Sequence, residues 1–153
     1  MRSLALKIPP VAVVILTMLA MKGCQRWLPI TQFEFSGQKA LMIVITIIAV
    51  IIIAIAMLAF NKHQTTVNPT DPEQASSLIT SGIFNYSRNP IYLAFALILF
   101  AWGLRLGHGI ALLWVPTFVA YMHYFQIKPE EHILLNKFGK PFAEYCQRVR
   151  RWI

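Results

Sequence analysis

Charge is scarce in this sequence, and acidic charge scarcest: its 153 residues include 14 Lys and Arg but only 6 Asp and Glu, while 57% of positions are apolar. At a mean hydropathy of +0.57, so short a chain cannot hide its apolar surface inside a soluble core, which excludes an ordinary water-soluble domain. Other absences narrow the field. There is no glycine-rich loop to cradle phosphates, and no His-Glu-x-x-His pair to set two metal ligands on one helical face. His123 and His132 stand nine residues apart with Glu130 and Glu131 between them, so no metal site is expected. No soluble nucleic-acid-binding motif accompanies the basic residues, so nucleic acid is not an expected partner. Cysteine is nearly absent too: Cys24 and Cys146 are the only two.

What fills the chain instead is apolar sequence, in four segments. Residues 40–60, ALMIVITIIAVIIIAIAMLAF, hold one Thr and no charge, and about 20 such residues span a bilayer as a helix. Residues 8–21 are shorter but lie between Lys7 and Lys22, whose ammonium groups can reach the interface and lengthen the usable span. A cleaved signal peptide is the competing reading. Leu19-Ala20-Met21 followed by Lys22 is a poor cleavage site, so a retained helix is expected. Residues 91–106 and 110–127 form a hairpin about Gly107-His108-Gly109, with Pro116 expected to kink the second arm. The fold class expected is therefore all-α: a single membrane domain over residues 1–153, with about four transmembrane helices and a C-terminal amphipathic tail.

Four spans put both termini on one side. That side would hold Arg2, Lys7, Lys62, Arg88, Lys128, Lys137, Lys140, Arg148, Arg150 and Arg151, against Lys22, Arg26, Lys39 and Arg105 on the other, so the termini and the 61–90 loop are expected to be cytoplasmic. The net charge of +8 gathers on this face, where anionic lipid head groups attract it. Cys24 and Cys146 then fall on opposite sides and cannot pair. A short chain without an organelle address suits a prokaryotic plasma membrane.

The 61–90 connection is too long for a simple turn. Pro69 and Pro72 punctuate its first half, while Leu78, Ile79, Ile83, Phe84 and Tyr86 mark its second half as packed. In the tail, residues 128–153, Pro129 and two glutamates suit a helix start, and Ile133, Leu134, Leu135 and Phe138 recur at helical spacing before Gly139. Phe142, Tyr145 and Val149 form a second apolar stripe. The tail is expected to lie as a cap on the membrane surface, with Arg148, Arg150 and Arg151 binding that surface.

The hairpin brings two polar ends together. Arg88, Asn89 and Tyr92 open the third span, and His123, Gln126, Glu130 and Glu131 close the fourth. A guanidinium beside paired carboxylates suits a zwitterionic, amino-acid-like ligand, held as arginine to carboxylate and glutamate to ammonium or sugar hydroxyl.

These residues also carry a resemblance. The run Gly82-x-Phe84-x-x-x-Arg88-Asn89-Pro90-x-Tyr92 is followed by Glu130-Glu131-x-x-Leu134-x-x-x-Phe138-Gly139-x-x-Phe142-x-x-Tyr145 and then Val149-x-Arg151-Trp152-Ile153. Together they resemble the isoprenylcysteine carboxyl methyltransferase and phospholipid methyltransferase superfamily over roughly residues 78–153. Asn89, Phe84 and Ala94 depart from the His, Tyr and Gly often found there, which puts the acceptor in question. The resemblance implies an integral membrane methyltransferase using S-adenosylmethionine, with a lipid or a prenylated small molecule or protein as acceptor.

By that resemblance Arg88 would hold the cofactor's carboxylate, and Glu131 with Glu130 its ammonium or ribose hydroxyls. Asn89 and Tyr92 would add hydrogen bonds at the reacting end, and Phe138 and Tyr145 would wall the adenine. His123 and His132 are the candidate bases if the acceptor is an amine; a carboxylate acceptor needs none. Two other classes stay open: a membrane reductase using a nicotinamide cofactor, and a non-enzymatic membrane scaffold.

Overall fold

The computed structural model describes residues 6–28, 30–62 and 77–153; Arg2, Pro69 and Pro72 lie outside them. Among the described residues the regular structure is helical, with one isolated antiparallel bridge between Gln32 and His108.

Helix α1, Pro10–Trp27, starts at a proline whose fixed φ suits the first helical position. It runs six residues past the expected end at Met21, carrying Lys22 and Arg26 on its exposed side. Helix α2, Gln38–Lys62, contains the 40–60 run and buries only Ala49 and Ala56. Much of its remaining apolar surface, including Leu41, Ile43, Val44, Ile47, Val50, Ile51 and Leu58, is exposed. Helix α3, Pro90–Leu106, matches the third segment within one residue and buries Tyr92, Ala94, Ala96, Leu99, Ala101 and Gly103. The three alanines and Gly103 are small enough to let apolar helices approach closely. Helix α2 packs against α3, whereas α1 packs against α3 and the arm that follows it, and α1 and α2 make no extended contact with each other.

That arm is broken where a single helix was expected. It consists of α4, Gly109–Leu112, then α5, Trp114–Tyr121, a π turn, Met122–Ile127, and α6, Lys128–Phe138. The first break falls at Leu113, one turn before Pro116, whose missing N–H and ring forbid the bond to Leu112. Pro129 and the two glutamates stand in the first turn of α6, as expected, but the start is a junction and not a free end, because the backbone is already helical through Ile127 and Lys128. The carbonyl that Pro129 leaves free, on Phe125, instead accepts the N–H of Leu6 at 3.1 Å. Gly139, at φ +57°, turns the chain into α7, Lys140–Arg148.

Among the described residues two helical runs are long and apolar enough to cross a membrane, Gln38–Lys62 and Gly109–Phe138; Pro90–Leu106 is apolar but shorter at 17 residues. Four spans were expected, and two helices of spanning length are found.

Residues 30–37 close over the α3–α4 hairpin. Phe33 N–H donates to Gly107 O and Gly109 N–H to Thr31 O, both at 2.8 Å, while Gln25 Nε2 and Gln38 Nε2 donate to Leu106 O and Leu104 O. His108, fully buried, caps α4 by accepting Ala111 N–H at Nδ1 and donates from Nε2 to Leu28 O at 2.6 Å. Gly107 is required here: at φ +58° a Cβ would stand 2.7 Å from Phe33 O.

The tail turns its apolar stripe inward. Phe142, Tyr145 and Val149 pack with Ala56, Ile79 and Phe84 in a second core beneath the ends of α2 and α3. Ile79 and Phe84 bear out a packed second half of the 61–90 loop, but Tyr86 points out, 78% exposed.

Candidate functional site

Pro90 sets the site's first wall. A residue before proline is pushed out of the helical region, and Asn89 accordingly sits at φ −130° and ψ 57°. This bend presents Arg88 and Asn89 across the start of α3, with Tyr92 one turn further in. Three bonds fasten the bend to the chain's last residues: Arg88 N–H to Arg150 O at 3.0 Å, Asn89 Nδ2 to Arg151 O at 3.0 Å, and Ser87 Oγ to Arg151 O at 3.4 Å.

The second wall is the junction of the π turn with α6. A π turn adds a residue and offsets everything after it by roughly 100° relative to a plain α-helix, and here Gln126 and Glu130 share the face toward Tyr92. Tyr92 Oη donates to Glu130 Oε1 at 2.7 Å and Gln126 Nε2 to the same oxygen at 2.9 Å.

Glu131 meets two arginines. Arg88 Nη2 lies 3.0 Å from Oε1. Arg151 grips the same carboxylate from its side, Nε at 2.9 and 3.0 Å from the two oxygens and Nη2 at 2.8 Å from Oε2. The arginine already charged at any ordinary pH is held still more firmly so by Glu131. Arg88 is the more deeply buried of the pair, 11% exposed against 37%, and its Nε is buried with no hydrogen-bond partner among the described residues.

The third wall is aromatic. Tyr145 Oη donates to Phe84 O at 2.7 Å, and burial pushes its phenol pKa up, so it stays a donor. Cys146 beside it is a free thiol, raised by burial and pulled back by the nearby Arg88 guanidinium.

These walls enclose a cavity of about 500 Å³, within the usual range for small-ligand sites. Arg88, Asn89, Tyr92, Glu130, Glu131, Phe138 and Tyr145, the seven residues singled out in the sequence, all line it. Its far side is apolar, from Pro10 and Val11 of α1 to Ile53, Met57 and Phe60 of α2. The candidate bases do not join them. His132 is exposed, and His123 faces a separate shallow depression with Tyr124 and Trp152.

Arg151 is the correction. Its expected place was the membrane surface with Arg148 and Arg150, but the largely buried Glu131 carboxylate takes its Nε and Nη2 together, a bidentate pairing stronger than a contact with exposed head groups. The signal was present in the sequence, since Arg151 belongs to the terminal motif; what was missing was the reversal at Gly139 that returns it to Glu131. Among the described residues no cluster of His, Cys, Asp and Glu is arranged to hold a metal.

A family model described as phospholipid methyltransferase matches residues 38–141, more than half of the chain. An uncharacterized protein of Haemophilus influenzae is 46% identical over 63 residues, which cover 41% of this chain and 100% of that protein. Delta(14)-sterol reductase of Mus musculus is 30% identical over 100 residues, 58% of this chain but only 24% of that much longer protein. No solved structure matches significantly. The chain belongs to the phospholipid methyltransferase family, and with it to the superfamily of integral membrane methyltransferases.

Proposed function

We propose that this protein transfers a methyl group from S-adenosylmethionine to a lipid-like acceptor at the cytoplasmic face of a prokaryotic plasma membrane, its four helical segments crossing the bilayer and both termini inside. The observation that carries the reading is the single cavity lined on one side by Arg88, Asn89, Tyr92, Glu130 and Glu131 and on the other by apolar residues of α1 and α2.

The donor set fits the cofactor. Arg88, buried with an unpartnered Nε, is under-satisfied by protein groups and suits a ligand carboxylate. Glu131 suits an ammonium or ribose hydroxyls, with Glu130 held in place behind it by Tyr92 and Gln126. Phe138 and Tyr145 offer flat apolar surface to an adenine. When bound, the sulfonium supplies an already activated methyl group, so what is asked of the chain is positioning and exclusion of water. Asn89 and Tyr92 orient the reacting end.

An amphiphilic acceptor follows from the other half of the cavity. Ile53, Met57 and Phe60 line it from α2, and Pro9, Pro10 and Val11 from the beginning of α1. Because α1 and α2 make no extended contact, the apolar side of the site lies between two helices that lipid can approach. An acyl or prenyl chain would sit there with its head group at the polar wall.

The match to a sterol reductase favours a second reading, in which the same cavity takes a nicotinamide nucleotide and delivers hydride. Binding separates the two. The purified protein in detergent is titrated with S-adenosylmethionine and with NADPH, with Arg88→Ala and Glu131→Ala as controls. Saturable binding of the first, lost in both variants, supports methyl transfer; selective NADPH binding replaces it with the reductase.

A further inference from the structure

We infer that Arg151, supplied by the last residues of the sequence, is a positioning residue: it holds Glu131 in a side-on fork and so keeps that carboxylate to a single contact with Arg88, leaving guanidinium donors of Arg88 for the anionic group of the ligand. This rests on the reading that the cavity binds S-adenosylmethionine.

The geometry is asymmetric. Arg151 presents Nε and Nη2 together, and three of its contacts to Glu131 lie between 2.8 and 3.0 Å. Arg88 gives Glu131 a single contact, from Nη2 at 3.0 Å, while its buried Nε has no hydrogen-bond partner among the described residues. A carboxylate has two oxygens and about four lone-pair sites. Arg151 draws on both oxygens, and what remains for Arg88 is a single shared contact.

Glu131 and Arg88 are both largely buried, 18% and 11% exposed. In a site so poor in water, a carboxylate released by Arg151 would pair more fully with the nearest guanidinium, that of Arg88. Such pairing would take up the donors that a ligand carboxylate needs. Three further contacts keep the device in register, because the same terminal turn accepts Arg88 N–H, Asn89 Nδ2 and Ser87 Oγ through Arg150 O and Arg151 O. A residue bound only for packing would need no such pairing of charge.

The test uses the full chain in detergent and reads S-adenosylmethionine affinity together with ligand-free thermal stability, for wild type, Arg151→Lys, Arg151→Ala, Glu131→Gln, and the double variant Arg151→Ala with Glu131→Gln. Arg151→Ala is expected to weaken binding roughly tenfold or more. Arg151→Lys, which keeps the charge without the fork, recovers part of the loss. The double variant binds no worse than Glu131→Gln alone, since a neutral amide no longer competes for Arg88; the melting points of the four proteins are non-additive in the same pair. Additive losses in affinity, or an Arg151→Ala protein that binds as wild type does, overturn the inference while leaving the cofactor reading intact. Wild-type protein that binds no S-adenosylmethionine overturns both, and is recognised by that signature.

Discussion

Tyr92 and Glu130, 38 residues apart in sequence, are joined by a 2.7 Å hydrogen bond between the start of α3 and the start of α6. The bond ties the two halves of the site together at its deepest point, because Gln126 donates to the same oxygen from one turn earlier. Tyr92→Phe removes one donor from a carboxylate with little access to water. The expected cost is about 1–3 kcal/mol, read as a lowered melting temperature in detergent, and Tyr92→Phe with Glu130→Gln should cost less than the sum of the two single changes. Strict additivity would show that the two side chains do not meet.

The opposite end of the bundle offers a change that should spare the site. His108 fills both its ring nitrogens, capping α4 and bonding Leu28 O, with no exposed surface. His108→Ala leaves Ala111 N–H and Leu28 O without these partners inside the protein, and is expected to cost about 2 kcal/mol or more. The affinity for S-adenosylmethionine should stay close to that of wild type, because the hairpin end contributes nothing to the cavity lining. A large loss of affinity at unchanged melting temperature would contradict this separation.

Gly107 supplies a sharper contrast. It and Gly82 both take positive φ, +58° and +63°, but a Cβ at Gly107 meets Phe33 O whereas one at Gly82 meets nothing within 4 Å. Gly107→Ala therefore combines strain with a backbone clash and should destabilise by more than the roughly 1–2 kcal/mol expected of the left-handed conformation alone. Gly82→Ala should stay within that smaller figure. Equal melting temperatures for the two variants would refute the close approach of Phe33 to the hairpin.

Much of this architecture is legible in the sequence because its causes are local. The uninterrupted apolar run of α2, the Gly107-His108-Gly109 turn and the stripe of Phe142, Tyr145 and Val149 each announce themselves within a few residues. The seven cavity residues are legible for a different reason: two motifs in a fixed order, separated by one hairpin, determine which ends meet. What stays hidden depends on partners distant in the chain. Lys22 reads as the end of α1 until the helix is seen to run on to Trp27, and the helix start at Pro129 gives no sign that helical backbone precedes it or that Phe125 O finds Leu6. Arg151 reads as one of three surface arginines because nothing in its neighbours reveals that Gly139 folds the tail back onto Glu131. The π turn has no composition of its own, and its effect shows only in where Gln126 and Glu130 point.

The apolar side of the cavity gives the last prediction, and it bears on the acceptor alone. Met57 lies on α2 at the rim between α2 and the start of α1, lining the cavity while remaining 39% exposed. A larger, stiffer side chain at this position narrows the space in which a hydrocarbon tail would lie, without reaching the polar wall formed by Arg88, Asn89 and Glu131. Met57→Trp is therefore expected to raise KM for a long-chain lipid acceptor roughly tenfold, the scale on which apolar pockets discriminate by a methylene or two. The Kd for S-adenosylmethionine should move by less than about twofold, since uniform binding of one ligand is being removed and not that of the other. Comparing acceptors of two tail lengths makes the reading specific: the shorter tail should suffer less. Were both acceptors and the cofactor affected alike, the gap between α1 and α2 would not be where the tail enters, and the lipid would have to reach the site from the side of α6 and α7.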